Sequence, residues 1–440
     1  MANEYIVVGL GKSNLAAVDY LLGKGIVPMV VDSRDNPPLK DKLPQNVVFK
    51  SGDFSLFTEE FCAARTLVVG PGVPLYTPAI KAAIDKGVEV IGDIELFVRE
   101  VNEPVIGITG ANGKSTVTTL VGLMAKNAGI RVGVGGNIGV PALELLKEPA
   151  KLYVLELSSF QLETTRSLHA AGCTILNVTE DHMDRYEFDI EKYAQAKHII
   201  YNNACHVIYN RFDPRTFPGD ESVARVSFGD DEREYGLIHE AGHTYLAKFG
   251  RLVMDAAEMK IAGKHNQMNA LAAMALADVV GISEEAQIET LRTFTGLEHR
   301  CQFVAEINGV RYYNDSKATN VGSTLAAVDG LASVTRGDLY LLAGGIGKGQ
   351  NFAPIGELLK GRIKEMYCFG RDAKDLLVLG DNAVSATDME DALRKAYMNA
   401  KPGDVVLLAP ACASMDMFKN FEERGDVFVS LVKKLESEKC

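Results

Sequence analysis

Short apolar runs alternate with amphipathic stretches of helical period along most of the chain, the pattern of parallel sheets layered with helices. Tyr5–Gly9, Val27–Asp32, Thr66–Gly70 and Val88–Ile91 read as strands, with helices predicted over Ser13–Lys24 and Thr77–Lys86. A second unit opens with the strand Pro104–Thr109, a glycine-rich loop and the helix Lys114–Gly129. Strands follow at Val132–Val134, Leu152–Leu157 and Thr174–Val178, and a helix at Ile190–Tyr201. Residues 206–262 break this rhythm, because turn signals such as Phe228-Gly229-Asp230 and Glu240-Ala241-Gly242-His243 predict a small β-rich insertion. Helices return over His265–Val280 and Glu284–Thr293. Near Gly296 the pattern resets with a hairpin, Cys301–Ile307 and Val310–Tyr313, turning at Asn308-Gly309, a pair that type I′ turns favour. Beyond it, Leu339–Ala343, Met366–Phe369 and Val405–Leu408 resume the α/β alternation.

Composition narrows the functional class. With 440 residues, 47% hydrophobic and 24% charged, the chain has ample apolar surface for several cores, which excludes a disordered scaffold. Lys+Arg 46 against Asp+Glu 58 gives a formal net charge of −12 without a basic block, so non-specific nucleic-acid binding is not expected. A locally positive pocket for an anionic small molecule remains compatible with that balance. No apolar stretch approaches the roughly 20 residues of a membrane span, and no membrane association is expected. The seven cysteines, scattered from Cys62 to Cys440 without zinc-type spacing, read as reduced thiols of a cytoplasmic protein.

The strongest chemical signal is Thr109-Gly110-Ala111-Asn112-Gly113-Lys114-Ser115-Thr116, placed between a predicted strand and a predicted helix. Small residues let backbone N–H groups approach phosphate oxygens, and the helix N-terminus adds its positive dipole end. Lys114 suits the β- and γ-phosphates, and the hydroxyl of Ser115 or Thr116 suits Mg²⁺. The register departs from the strict phosphate-loop rule: its first glycine would fall at 108, which is Ile108, and Gly107 is one place early. ATP or GTP binding follows.

Gly9-Leu10-Gly11-Lys12-Ser13-Asn14 also follows a strand, with Asp32 ending the next one, but Asn14 stands where a dinucleotide fingerprint has its last glycine. A nucleotide or nucleotide-sugar site is favoured over a purely structural turn. Glu156 ends a strand beside the phosphate loop, a position from which an acid reaches Mg²⁺. His182 follows the next strand and falls on the same sheet edge. Lys197, four residues after Tyr193, reads by itself as a solvated helix lysine.

Together with Gly263-Lys264-His265-Asn266, Asn269, Asn314-Asp315-Ser316-Lys317-Ala318-Thr319-Asn320 and Pro410–Phe421, these motifs closely resemble the Mur ligase family over essentially the whole chain. The off-register phosphate loop resembles that family's own variant, and the segments 314–320 and 410–421 resemble its D-glutamate-adding members. The resemblance implies an ATP-dependent amide ligase acting on UDP-N-acetylmuramoyl-L-alanine and D-glutamate as a cytoplasmic monomer. It implies three α/β domains. Residues 1–92 would be Rossmann-like and bind the UDP-sugar. Residues 93–297 would be a central P-loop ATPase-type parallel sheet with the β-rich insertion, and 298–440 a Rossmann-like amino-acid-binding domain.

Carried over residue by residue, the resemblance gives ATP to Gly110, Ala111, Asn112, Gly113, Lys114, Ser115, Thr116, Asn266, Asn269, Arg300 and Asp315. Ser13, Asp32, Arg34, Gly72, Asn137, Ser158 and Gln161 would hold the UDP substrate, and Thr319, Lys348, Ser414 and Phe421 the D-glutamate. Two Mg²⁺ are implied, one at Ser115 and Glu156 and one at His182 and Lys197, with Lys197 carbamylated. Lys114, Glu156, His182 and Lys197 are the expected catalytic group. Ile346 stands where relatives often carry Asp, and Arg300 is followed by Cys301-Gln302 in place of the commoner Phe-Glu. A P-loop kinase or GTPase, an NAD-dependent dehydrogenase, a non-catalytic nucleotide-gated module and a sibling or folate-polyglutamylating ligase are the alternatives.

Overall fold

The first apolar runs pair side by side in parallel, as β1 (Tyr5–Val8), β2 (Met29–Asp32), β3 (Val48–Ser51), β4 (Thr66–Val69) and β5 (Glu89–Ile91), in the order β3-β2-β1-β4-β5. β1, β2 and β4 are buried along most or all of their length, which is why they read as continuous apolar runs. β3 escaped the sequence reading because it is an edge strand with no fully buried residue. The computed structural model describes residues 4–438 apart from 180, 262, 333, 334, 336 and 348, with only the backbone at 184 and 332. The chain folds as two compact units, Met1–Asp255 with Met268–Thr290 and Ala256–Gln267 with Leu291–Cys440.

The first unit also holds a nine-stranded sheet. Its strands are β6 (Val105–Thr109), β7 (Val132–Gly136), β8 (Leu152–Glu156), β9 (Gly172–Ile175), β10 (His206–Asn210), β11 (Ala224–Phe228), β12 (Tyr235–Glu240), β13 (His243–Lys248) and β14 (Arg251–Asp255). Their order is β14-β13-β12-β11-β10-β9-β6-β8-β7. The tract 206–262 is β-rich as its turn signals predict, and its strands prolong the central sheet: β10, β11 and β12 continue it in parallel, and β13 and β14 add to it in antiparallel pairs.

Between the two sheets runs the helix Asp93–Val98, with Asp93, Ile94, Glu95, Leu96 and Phe97 all buried. Phe97 meets Tyr153 of β8 edge-on at 5.2 Å. One apolar core therefore runs from Val7 and Val30 through Phe97 to Leu155 and Val207.

The second unit is a six-stranded sheet of β15 (Gln302–Ile307), β16 (Val310–Asn314), β17 (Leu339–Gly344), β18 (Glu365–Phe369), β19 (Ala383–Ser385) and β20 (Val405–Leu408), ordered β15-β16-β20-β17-β18-β19. Asn308 (φ 54°) and Gly309 (φ 78°) both take the left-handed backbone that a type I′ turn requires. The six described cysteines are free thiols, and Cys440 lies outside the described residues. Among the described residues no helix is long and apolar enough to cross a membrane.

Arg424, fully buried in the helix Phe421–Ser437, ties this unit together. Its guanidinium donates to Ser316 Oγ (3.0 Å), Ser316 O (2.8 Å) and Cys412 O (3.1 Å). Burial lowers its pKa to about 10, so it stays charged at neutral pH. Arg424→Ala strands these acceptors and opens a void, and is expected to cost roughly 3 kcal/mol or more of this unit's stability. Arg424→Lys should recover only part of that loss, because an ammonium cannot reproduce the guanidinium fork. Urea unfolding of the three proteins checks both outcomes.

Candidate active site

Parallel register brings the chemistry to one sheet edge. Ile108 on β6 stands opposite Glu156 on β8 and Thr174 on β9, and Gly136 on β7 also stands opposite Glu156. The loops after these four strands therefore leave from the same side. Gly110 (φ 149°) and Gly113 (φ 85°) shape the phosphate loop, and Gly113 caps the helix Lys114–Asn127. A Cβ at Gly113 would overlap Asn269 Oδ1, so the two expected nucleotide residues meet only because position 113 is glycine. Asn177, after β9, braces the loop from the other side. Its carbonyl accepts from Ala111 N (2.9 Å), its Oδ1 from Asn112 N (2.8 Å), and its Nδ2 donates to Asn112 O (3.0 Å).

Two lysines converge on this loop. Lys114 Nζ donates to Gly110 O and Ala111 O, each at 2.9 Å. Lys197 Nζ donates to the same Gly110 O at 3.0 Å and lies 4.2 Å from the Tyr193 ring centroid. Far from being a solvated helix lysine, Lys197 is 1% exposed. Burial and the nearby Lys114 charge bring its pKa down to about 7, with Asp181 pulling weakly the other way. Tyr193, Ala194 and Ala196 of the same helix are buried with it, a packing that the sequence pattern does not reveal.

Glu156 is 2% exposed. Asn137 Nδ2 donates to its Oε1 at 2.7 Å, while Oε2 is buried without a hydrogen-bond partner. An orphaned carboxylate oxygen beside a phosphate loop fits a cation. Ser115 is buried in the first turn of the adjoining helix. His182 caps a short 3-10 turn and is half exposed, edge-on to Phe160 at 4.9 Å and 3.6 Å from Asp181. Among the described residues no three His, Cys, Asp or Glu side chains form a metal-binding group.

Ser13, Asp32, Arg34 and Gly72 line one cavity of about 370 Å³ at the edge of the first sheet. The Arg34 fork grips Asp32 through Nε (2.9 Å) and Nη2 (2.8 Å), and Leu10 N donates to the same carboxylate at 2.6 Å. Burial raises the Asp32 pKa, but these hydrogen bonds outweigh it and hold the carboxyl below its usual range. Asn137, Ser158 and Gln161 lie outside that cavity's lining. Ser158 and Gln161 form a capping box on the turn Ser159–Leu162. Gln161 Nε2 donates to Asp93 at 3.2 Å, and Ser13 hydrogen-bonds the same carboxyl, whose pKa burial raises. Asp93 thus links the two groups of expected substrate residues. The sequence reading missed it, since its only mark was an acid at a helix start.

In the second unit, Asn266 lies at the start of the helix Lys264–Val279. Arg300 N donates to Leu297 O at 3.1 Å, and burial pushes the Asp315 carboxyl up to about 6 against the pull of Arg300. Ile346 N and Ala413 N exchange hydrogen bonds with each other's carbonyls at 2.8 and 2.9 Å, placing the Gly344–Gly347 loop beside buried Ser414. Phe421 O accepts from Ser316 Oγ at 2.7 Å, and Thr319 N donates to Lys317 O at 2.8 Å. Lys348 lies outside the described residues.

Three family models match the chain: the Mur ligase MurD-like N-terminal domain over 3–92, the Mur ligase middle domain over 108–277 and the Mur ligase glutamate ligase domain over 299–412. The UDP-N-acetylmuramoylalanine--D-glutamate ligase of Escherichia coli (strain K12) is 52% identical over 434 residues, covering 98% of this chain and 98% of that protein. The protein of the same name from Salmonella choleraesuis (strain SC-B67) is 52% identical over 432 residues, with the same coverage. Among solved structures, MurF ligase from Thermotoga maritima in complex with ADP aligns with TM-score 0.60 at 15% identity, over 99% of this chain and 95% of that one. UDP-N-acetylmuramate-alanine ligase MurC from the same organism aligns with TM-score 0.59 at 19% identity, over 98% and 99%. These two likenesses concern the fold. With family models along most of its length and such relatives from end to end, the chain belongs to the Mur ligase family.

Proposed function

We propose that this protein joins D-glutamate to UDP-N-acetylmuramoyl-L-alanine at the expense of ATP, as a cytoplasmic monomer making a peptidoglycan precursor. The observation that carries this reading is one sheet edge bearing a phosphate loop, two converging lysines and an orphaned buried Glu156 oxygen. It occurs in a chain 52% identical to D-glutamate ligases over nearly its full length. Residues 1–92 bind the UDP moiety, 93–297 the ATP and 298–440 the amino acid.

The 370 Å³ cavity at Ser13, Asp32, Arg34 and Gly72 takes the uridine diphosphate end, and Asn137, Ser158 and Gln161 face the muramoyl-alanine part. The loop Gly110–Thr116 and Lys114 hold the triphosphate, with Asn266, Asn269, Arg300 and Asp315 around the adenosine. Thr319, Lys348, Ser414 and Phe421 hold D-glutamate, where a cation such as Lys348 answers a carboxylate. Ser115 and Glu156 would hold one Mg²⁺, and His182 with carbamylated Lys197 a second. When bound, Mg²⁺ neutralises charge on the transferring phosphoryl group.

The substrate carboxylate attacks the γ-phosphorus, forming an acyl phosphate and releasing ADP. The D-glutamate amine then attacks the acyl carbon, its proton passes to the departing phosphate, and the amide forms. Lys114 steadies the γ-phosphate in the first step and the departing phosphate in the second. A Lys197 pKa of about 7 supports carbamylation, because the neutral amine attacks CO₂ and releases a proton, turning a cation into a carboxylate-like ligand.

Phosphate release from ATP should require UDP-N-acetylmuramoyl-L-alanine and D-glutamate together; L-glutamate, L-lysine or diaminopimelate should not replace D-glutamate. A colorimetric phosphate assay decides this, and release that follows another amino acid would remove Thr319, Lys348 and Ser414 from their assigned roles. Lys197→Ala should lose activity by about three orders of magnitude, with partial rescue by formate or acetate. In ¹³C-bicarbonate the wild type should show a carbamate NMR signal that the variant lacks.

Asp315, raised to about 6, is a charged acceptor at pH 7.5 and mostly neutral at pH 5. The KM for ATP should therefore climb as pH falls through 6, by roughly the tenfold that loss of a charge-assisted hydrogen bond brings. Asp315→Asn should start from a higher KM and show a flatter profile.

A further inference from the structure

Three non-glycine residues around the His182 turn hold left-handed backbone: His182 (φ 53°), Glu187 (φ 55°) and Phe188 (φ 59°). Such a segment persists only where its surroundings impose it. Two side chains between these positions do so. Tyr186 OH donates to Glu163 Oε1 at 2.7 Å, and Arg185 Nη2 pairs with Glu163 Oε2 at 3.1 Å. The Arg185 guanidinium also lies 4.4 Å from the Phe160 ring centroid, and that ring meets the His182 imidazole.

The same guanidinium reaches back to the first sheet. Its Nη1 donates to Pro71 O at 3.4 Å and its Nη2 to Val73 O at 3.3 Å. Pro71, Gly72 and Val73 form one wall of the 370 Å³ cavity. With its side chain 9% exposed, Arg185 divides its donors between that wall and the anchor of the His182 turn.

We propose that Arg185 is a positioning residue through which an occupied uridine pocket sets the His182 turn and tightens the metal site. A ligand resting on Gly72 holds the Pro71 and Val73 carbonyls still. Arg185, with its acceptors fixed, then favours the strained turn that presents His182. By linkage, a filled metal site tightens the nucleotide pocket by the same factor. The proposal rests on the uridine and metal assignments made above.

The test uses the full-length protein with ADP and Mn²⁺ as the metal probe. Free Mn²⁺ is read by electron paramagnetic resonance with and without UDP, each against the same Mn²⁺, ADP and UDP mixture lacking protein because both diphosphates chelate the metal, and UDP binding is measured by calorimetry. In the wild type UDP should tighten Mn²⁺ binding by about fivefold or more. Arg185→Lys should bind UDP, and Mn²⁺ without UDP, within about twofold of wild type while losing that enhancement. Glu163→Gln, which leaves Arg185 in place but removes its anchor, should lose it too and serves if Arg185→Lys fails to fold. Enhancement that survives in the variants overturns the proposal, as does its absence from a wild type that binds UDP. A wild type that fails to bind UDP overturns the pocket assignment itself, and the proposal with it.

Discussion

Two lysine side chains donate to a single backbone carbonyl, Gly110 O, and the site is organised around the electrostatic problem this creates. Their nitrogens stand no more than about 6 Å apart, and at an effective dielectric near 20 two unit charges there repel by roughly 3 kcal/mol. Burial weighs more than this repulsion, and the two together bring the Lys197 pKa down to about 7. A charged Lys114 beside an uncharged amine can accept an anion, and the glycine loop beneath them supplies it with N–H donors. On the strand beside β6 lies Glu156, with one oxygen bound by Asn137 and the other unpaired. Positive groups and an unsatisfied carboxylate at one sheet edge suit an anion together with a cation.

That arrangement holds only if the strand ends stay level. The register Glu156–Ile108–Thr174 levels them, and Asn177 fastens the phosphate loop to the strand next door. Asp93 extends the same logic to the first sheet. A carboxyl buried this deeply and with a raised pKa is costly unless its neighbours donate to it, and Ser13 and Gln161 do so from the helix after β1 and the turn after β8. The continuous core from Val7 to Val207 makes the link rigid.

Much of this was legible in the sequence, for identifiable reasons. Fully buried parallel strands such as Val405–Leu408 announce themselves as apolar runs, and Asn308-Gly309 has few conformations other than the turn it makes. The phosphate loop was legible because its chemistry dictates its composition. Lys197 was not, because a lysine on a mixed helix looks solvated until the packing of Tyr193, Ala194 and Ala196 is known. Val48–Ser51 was missed because an edge strand needs no apolar face. Asp93 and Arg185 act through partners distant in sequence, Gln161 and Pro71 among them, and local pattern carries no trace of such contacts.

Asn14 shows how a strand-to-helix turn can keep its form when its glycine pattern fails. In a dinucleotide fingerprint the third glycine allows the helix to pack closely on the neighbouring strand. Here the amide of Asn14 fills that space and donates to Val8 O at 2.8 Å and Gly9 O at 2.7 Å, fixing the end of β1 from within. The need for a missing side chain has moved to Gly70, after β4, where a Cβ would stand 2.8 Å from Asn14 Nδ2. The glycine requirement is thus kept in space while its position in the sequence changes. Gly9 and Gly70 are both left lining the cavity, with Asp32 on the neighbouring strand. The turn keeps its backbone open to the cavity, and the dinucleotide pattern disappears from the sequence.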